Sequence, residues 1–151
     1  MMIKKNKILK YILIIFSILI IIPVGLYIAG NYYYNSARIY KKYWNINLPY
    51  NIEEKYNIST PQDFHGDGLR FTVFKLKETN STFLKDTFYQ KNITIENEIK
   101  RILNTVNADK SCYPNFSSKY LWKKLIQHNN NTLYIIYDPN TLFLYFVQET
   151  T

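Results

Sequence analysis

The residues best suited to chemistry sit close together in Phe64-His65-Gly66-Asp67-Gly68, followed by Arg70. A Gly-flanked imidazole and carboxylate could hold a metal or share a proton, and Arg70 could add an anion contact. A protein metal site needs three or four ligands with supporting spacing. The other histidine, His128, lies far along the chain, and nothing near it has ligand spacing. The same five residues also read as a turn. Glycine supplies positive φ, and an aspartate between glycines bonds its own backbone. Cys112, in Lys-Ser-Cys-Tyr-Pro, is the single cysteine, so no intramolecular disulfide forms, and no nucleophile signature surrounds it. His-Gly-Asp-Gly-Leu lacks the Lys-Ser/Thr pair that completes a phosphate-binding loop. Glu53, Glu54, Glu96 and Glu98 read as solvated faces, and the five Asn-x-Ser/Thr sequons as the chance product of an Asn-rich chain. The expectation is a non-enzymatic binding or interaction module with no cofactor and no metal. The alternative is a membrane-bound hydrolase or metal-dependent enzyme using His65 and Asp67.

These residues need a framework, and the chain after the first fifty residues supplies one. Residues 50–59 read as a strand with Tyr50, Ile52 and Tyr56 on one parity. Residues 69–77 (LRFTVFKLK) are rich in β-formers and follow the turn. Residues 79–92 read as loop. Ile95, Ile99, Ile102, Leu103 and Val106 fall on one stripe at the helical period, which predicts a helix over 94–106. Thr94 is placed to cap it, and Asn107 and Asp109 to stop it. Ser117 or Ser118 could cap a second short helix reaching Gln127. The runs TLYIIY (132–137) and LFLYFV (142–147) flank Asp138-Pro139-Asn140-Thr141, which suits a type I turn. Their unbroken apolarity points to strands buried on both faces. The fold class expected is a small α+β domain over 48–151, with an antiparallel sheet of three to five strands packed on one or two helices.

The N-terminus reads differently. Residues 1–10 form a basic flank, and residues 11–30 (YILIIFSILIIIPVGLYIAG) carry no charge. Twenty residues at 1.5 Å rise match a hydrocarbon core of roughly 30 Å, which predicts a single transmembrane helix. Residues 31–47 read as an aromatic and basic stalk, with Tyr32, Tyr33, Tyr34 and Trp44 suited to a membrane interface. The lysines before the helix favour a cytoplasmic N-terminus and an extracytoplasmic domain, anchored in the cell membrane by one pass. The alternative is secretion after signal cleavage, with Ile28-Ala29-Gly30 as the candidate site. Formal charge is +8, but from Trp44 onward basic and acidic residues nearly balance. A near-neutral folded part argues against nucleic-acid binding. The partners expected are the lipid bilayer and a protein or envelope ligand.

In this arrangement the chain resembles a loose group of small bacterial proteins, anchored or secreted, mostly from AT-rich Gram-positives. The likeness rests on the Lys-flanked N-terminal helix, on Phe-His-Gly-Asp-Gly at 64–68 before a strand, and on the Leu-Tyr-x-x-Tyr-Asp-x-x-Thr-Leu-x-x-Tyr hairpin at 133–145. It covers about half of the part after the helix. The group has no established activity, so the resemblance implies no catalytic residue.

Overall fold

In a computed structural model of the chain, residues 2–33, 36–49, 52–61, 68–78, 88–127 and 129–151 are described. The chain divides into two compact units, Met1–Ile46 and Asn47–Thr151.

The first unit holds α1 (Met2–Tyr33) and α2 (Ser36–Trp44). Along α1 the described large apolar side chains from Tyr11 to Tyr27 are exposed. They surround the helix rather than forming a stripe. Among the described residues no helix is long and apolar enough to cross a membrane. The transmembrane helix at 11–30, the single-pass topology and the cell-membrane localisation are corrected accordingly. α1 runs on from the basic flank, with Lys4, Lys5, Lys7 and Lys10 in its first turns and Pro23 inside it, so the apolar run is not a helix of its own. α2 is amphipathic: Ser36, Tyr40 and Trp44, spaced four apart, are its buried residues. Trp44 is therefore a buried side chain. Tyr32 and Tyr33 lie in α1 without described side chains, and Tyr34 lies outside the described residues.

The second unit is the α+β part. Five strands form one antiparallel sheet: β1 (Glu53–Ser59), β2 (Gly68–Lys75), β3 (Leu121–Ile126), β4 (Thr132–Asp138) and β5 (Phe143–Thr150). Their order is β1-β2-β5-β4-β3. β5 is central. Phe146 sits opposite Thr72 on one side and Ile135 on the other. The β4–β5 connection is a hairpin, but it closes one residue later than the i→i+3 bond of the expected type I turn: Leu142 takes φ 61° and lies in the turn, and β5 begins at Phe143. Asp138 Oδ1 accepts from Asn140 N at 2.9 Å and Thr141 N at 3.4 Å, and Leu142 N donates to Asp138 O at 2.9 Å.

α3 (Ile93–Thr105) lies on one face of this sheet. Its stripe packs with Phe71, Val73, Tyr134, Ile136, Tyr145 and Val147 in one apolar cluster. Ile99, Ile102 and Leu103 are completely buried, each contributing about 1.5–3 kcal/mol of transfer free energy. The opposite face of the central strands is buried too, through Phe74, Leu133, Ile135, Tyr137, Leu144 and Phe146. That double burial explains why β4 and β5 are apolar at successive positions.

The cap of α3 differs from expectation. Asn92, not Thr94, is the N-cap; its Oδ1 accepts from Thr94 N at 2.9 Å and Ile95 N at 3.3 Å. The C-terminus closes as a Schellman motif. Ala108 N donates to Leu103 O, Asn107 N donates to Asn104 O, and Asn107 takes φ 53°. Residues 117–127 are not a helix. Ser117 N donates to Asn115 Oδ1 and Ser118 Oγ to Asn115 O, a local turn, and β3 follows.

Candidate functional site

β3 is an edge strand, and among the described residues its outer side is paired at a single position. Trp122 N donates to Tyr89 O at 3.0 Å, and Tyr89 N to Trp122 O at 2.8 Å, an isolated antiparallel bridge outside the sheet. On the other side Gln127 N donates to Asn131 O at 3.0 Å, within the turn to β4. Backbone groups alternate in direction along a strand. Trp122, Lys124 and Ile126 therefore present N–H and C=O outward, while Leu121, Lys123 and Leu125 bond β4. The bridge satisfies Trp122. Among the described residues the outward groups of Lys124 and Ile126 have no partner.

The side chains around this edge are fixed by their neighbours. The Tyr89 and Trp122 rings lie 5.2 Å apart at 39°, and Trp122 Nε1 donates to Gln90 O at 2.6 Å. Asn92 N donates to the Tyr120 hydroxyl at 3.1 Å, pinning the same segment again. Lys124 Nζ lies 4.9 Å from the centre of the Tyr134 ring and 3.6 Å from Glu98 Oε2. The Tyr134 hydroxyl donates to Glu98 Oε2. Bonding to Tyr134, with the Glu98 charge beside it, holds the Lys124 ammonium above its ordinary pKa. Burial, then the bond to Glu98, pushes Tyr134 up as well. At the far end Ile126 is 64% exposed, an apolar side chain left in water.

Glu96 and Glu98 are not solvated faces. Glu96 is buried. It accepts from the Tyr120 hydroxyl at 2.8 Å and has Lys91 Nζ at 3.7 Å and Lys100 Nζ at 3.6 Å. Burial pushes the Tyr120 phenol up to about 12. This cluster ties the start of α3 to the segment before β3 and so holds the edge in place. Glu53, by contrast, is exposed on β1, and its bond from Lys55 at 2.6 Å lowers its pKa.

The residues singled out by sequence are not gathered here. His65 and Asp67 lie outside the described residues, as does His128. Arg70 is half-buried in β2, opposite Ser59 and Gln148. Cys112 is half-buried, with Ser111 Oγ at 3.9 Å from its sulfur. Among the described residues no group of three His, Cys, Asp or Glu side chains could hold a metal. Sequence reasoning misses the β3 edge because its segment reads as helical. The signal that marks it is Trp122 between lysines in a stretch, Lys110 to Tyr137, that has no Asp or Glu. Compared with protein-family models, curated proteins and solved structures, the chain matches none.

Proposed function

We propose that the Asn47–Thr151 unit is a non-enzymatic binding module that takes an extended segment of a partner protein along β3. One observation carries the reading. The edge already pairs with backbone at Trp122, through the isolated Tyr89 bridge, and among the described residues its outward groups at Lys124 and Ile126 have no partner. An open strand edge is a template for main-chain hydrogen bonding, and strand addition is a recurring mode of peptide recognition. The other edge of the sheet is guarded. β1 carries Glu53, Glu54 and Lys55, and its register shifts between Glu54 and Tyr56. Charges and a bulge are the usual means of blunting an edge.

The test is site-resolved photocrosslinking in the full chain. A photoreactive phenylalanine analogue replaces Ile126 in one variant and Glu53 in another. The expected result is a partner protein joined at position 126 and not at 53. The cross-link should survive the His65→Ala, Asp67→Ala double change. Equal capture at both positions, or none at 126, would overturn the proposal.

A further inference from the structure

Three side chains without a partner line up across β1, β2 and β5. Ser59 on β1 lies opposite Arg70 on β2, and Arg70 lies opposite Gln148 on β5. Neighbouring strands lie about 4.8 Å apart, and residues paired across them share a face. Phe71 and Val147, the sequence neighbours of Arg70 and Gln148, pack with α3, so this row stands on the other face. Ser59 is exposed, and Arg70 and Gln148 are half-buried. Among the described residues none of the three side chains has a hydrogen-bond or ion-pair partner. We infer that the row Ser59, Arg70 and Gln148 is a binding site for a carboxylate. It lies on strands other than β3 and does not depend on the strand-addition reading.

The row offers donors. Gln148 Oε1 is buried with no donor to it, an arrangement that native proteins seldom hold without a reason. The amide nitrogen makes no bond either and is not among the buried unpaired atoms, so the NH2 is the end that meets solvent. The side chain thus hides its acceptor and presents its donors. Arg70 adds a permanent charge and five N–H donors in a planar fork, and Ser59 adds a hydroxyl. A guanidinium fork matches the two oxygens of a carboxylate.

The surroundings fix the charge of the ligand. The described carboxylates of these three strands are engaged or distant. Glu53 is bonded by Lys55, and Glu149 by Arg101 on the α3 face. Glu54 is at the other end of β1, opposite Phe74. Lys123 shares the face but stands three strands away from Arg70. The next row is closed, because Thr72 Oγ1 donates to Asn57 Oδ1 at 3.2 Å. Beyond Gln148 the row continues into Leu133, which is completely buried, as is Phe146 beside it. One guanidinium against an apolar wall matches one negative charge. A phosphate dianion would leave a charge unmatched there, and an unmatched charge beside apolar groups is costly.

The experiment follows the Arg70 Nε–H and Gln148 side-chain NH2 resonances of the full chain by nuclear magnetic resonance. Sodium acetate, sodium chloride or sodium phosphate is added at matched ionic strength. Acetate should move both resonances along one saturable curve and raise the melting temperature, and chloride should do neither. Ser59→Ala, at an exposed position, should weaken acetate about threefold, as loss of one ordinary hydrogen bond does. Arg70→Lys keeps the charge without the fork and should weaken it about tenfold, read on Gln148. Gln148→Glu puts a carboxylate inside the row. It should abolish the acetate response and melt higher than the wild type, because Arg70 then has a partner of its own. Movement that never saturates, or that chloride reproduces, overturns the site. Phosphate binding more tightly than acetate overturns the carboxylate class. Acetate binding retained in Gln148→Glu overturns the placement. The β1–β2 connection carries Asp63 and Asp67. Tighter acetate binding in the Asp63→Asn, Asp67→Asn double variant would mean that the chain's own carboxylate competes for Arg70, which overturns a ligand from outside; unchanged binding supports it.

Discussion

At the scale of single residues, the polar groups buried beside the start of α3 have specific partners, whereas Ser36 Oγ and Gln148 Oε1 are buried without one among the described residues, and burial sets the titration of the tyrosines. The Tyr120 hydroxyl donates to the buried Glu96 and accepts from Asn92 N. Tyr120→Phe leaves that carboxylate without its nearest neutral donor. The expected loss is about 1–3 kcal/mol, the cost of an unsatisfied buried group, read from denaturant midpoints. Burial holds both Tyr120 and Tyr145 up to about 12, against an ordinary phenol value of about 10. The folded state thus keeps protons that the unfolded chain gives up first. Stability from these tyrosines is complete below about pH 10 and is lost as pH rises towards 12. Denaturation midpoints should be insensitive to these groups near neutrality and fall in that alkaline window, and Tyr145→Phe should make the fall shallower. An unchanged alkaline slope in that variant would contradict the assignment. None of this is legible in sequence. Glu96 looks solvated because its partners, Tyr120 and Lys91, come from other elements, and local spacing cannot report them.

Among the elements, those whose environment is one-sided or uniform are readable, and those with mixed environments are not. α3 shows its stripe because one face meets the sheet and the other meets water. β4 and β5 show unbroken apolarity because both faces are buried. β3 misleads because Leu121, Trp122, Leu125 and Ile126 recur at helical spacing, and the serines before it mimic a cap. Pairing with β4 decides the outcome, a tertiary term that overrides local preference. The candidate edge is lost with it. The end of α3 offers a sharper test of local rules. Asn107 holds φ 53° in the Schellman motif, with Ala108 and Leu103 both buried beneath it. A residue without asparagine's tolerance for that region is strained there, and glycine is not. Asn107→Ala should destabilise by about 1 kcal/mol, and Asn107→Gly should match or exceed the wild-type midpoint. If both variants melt alike, the left-handed conformation is not what the position requires.

For the Asn47–Thr151 unit as a whole, strand order converts directly into a ranking of local stability. β2, β5 and β4 each have a hydrogen-bonded neighbour on both sides, and β5 lies at the centre with buried apolar side chains on both faces. Opening any of them breaks two ladders and exposes core side chains, so their amides should exchange only near the free energy of global unfolding. β1 and β3 have one ladder each. Their inward amides should exchange at intermediate rates and their outward ones fast. β3 makes the ranking specific. Lys123 and Leu125 donate into the β4 ladder, Trp122 donates to Tyr89, and Lys124 and Ile126 donate to no described residue. The expected pattern along one strand is therefore slow at 123 and 125, slowed at 122, and fast at 124 and 126. Residue-resolved hydrogen exchange on the free chain measures it without any ligand. Fast exchange at Trp122 would mean that the Tyr89 bridge does not persist in solution, and with it would go the evidence that this edge accepts a strand. Slow exchange at Lys124 and Ile126 would mean that the edge is already occupied, and a partner would then have to displace the occupant rather than simply add to the sheet.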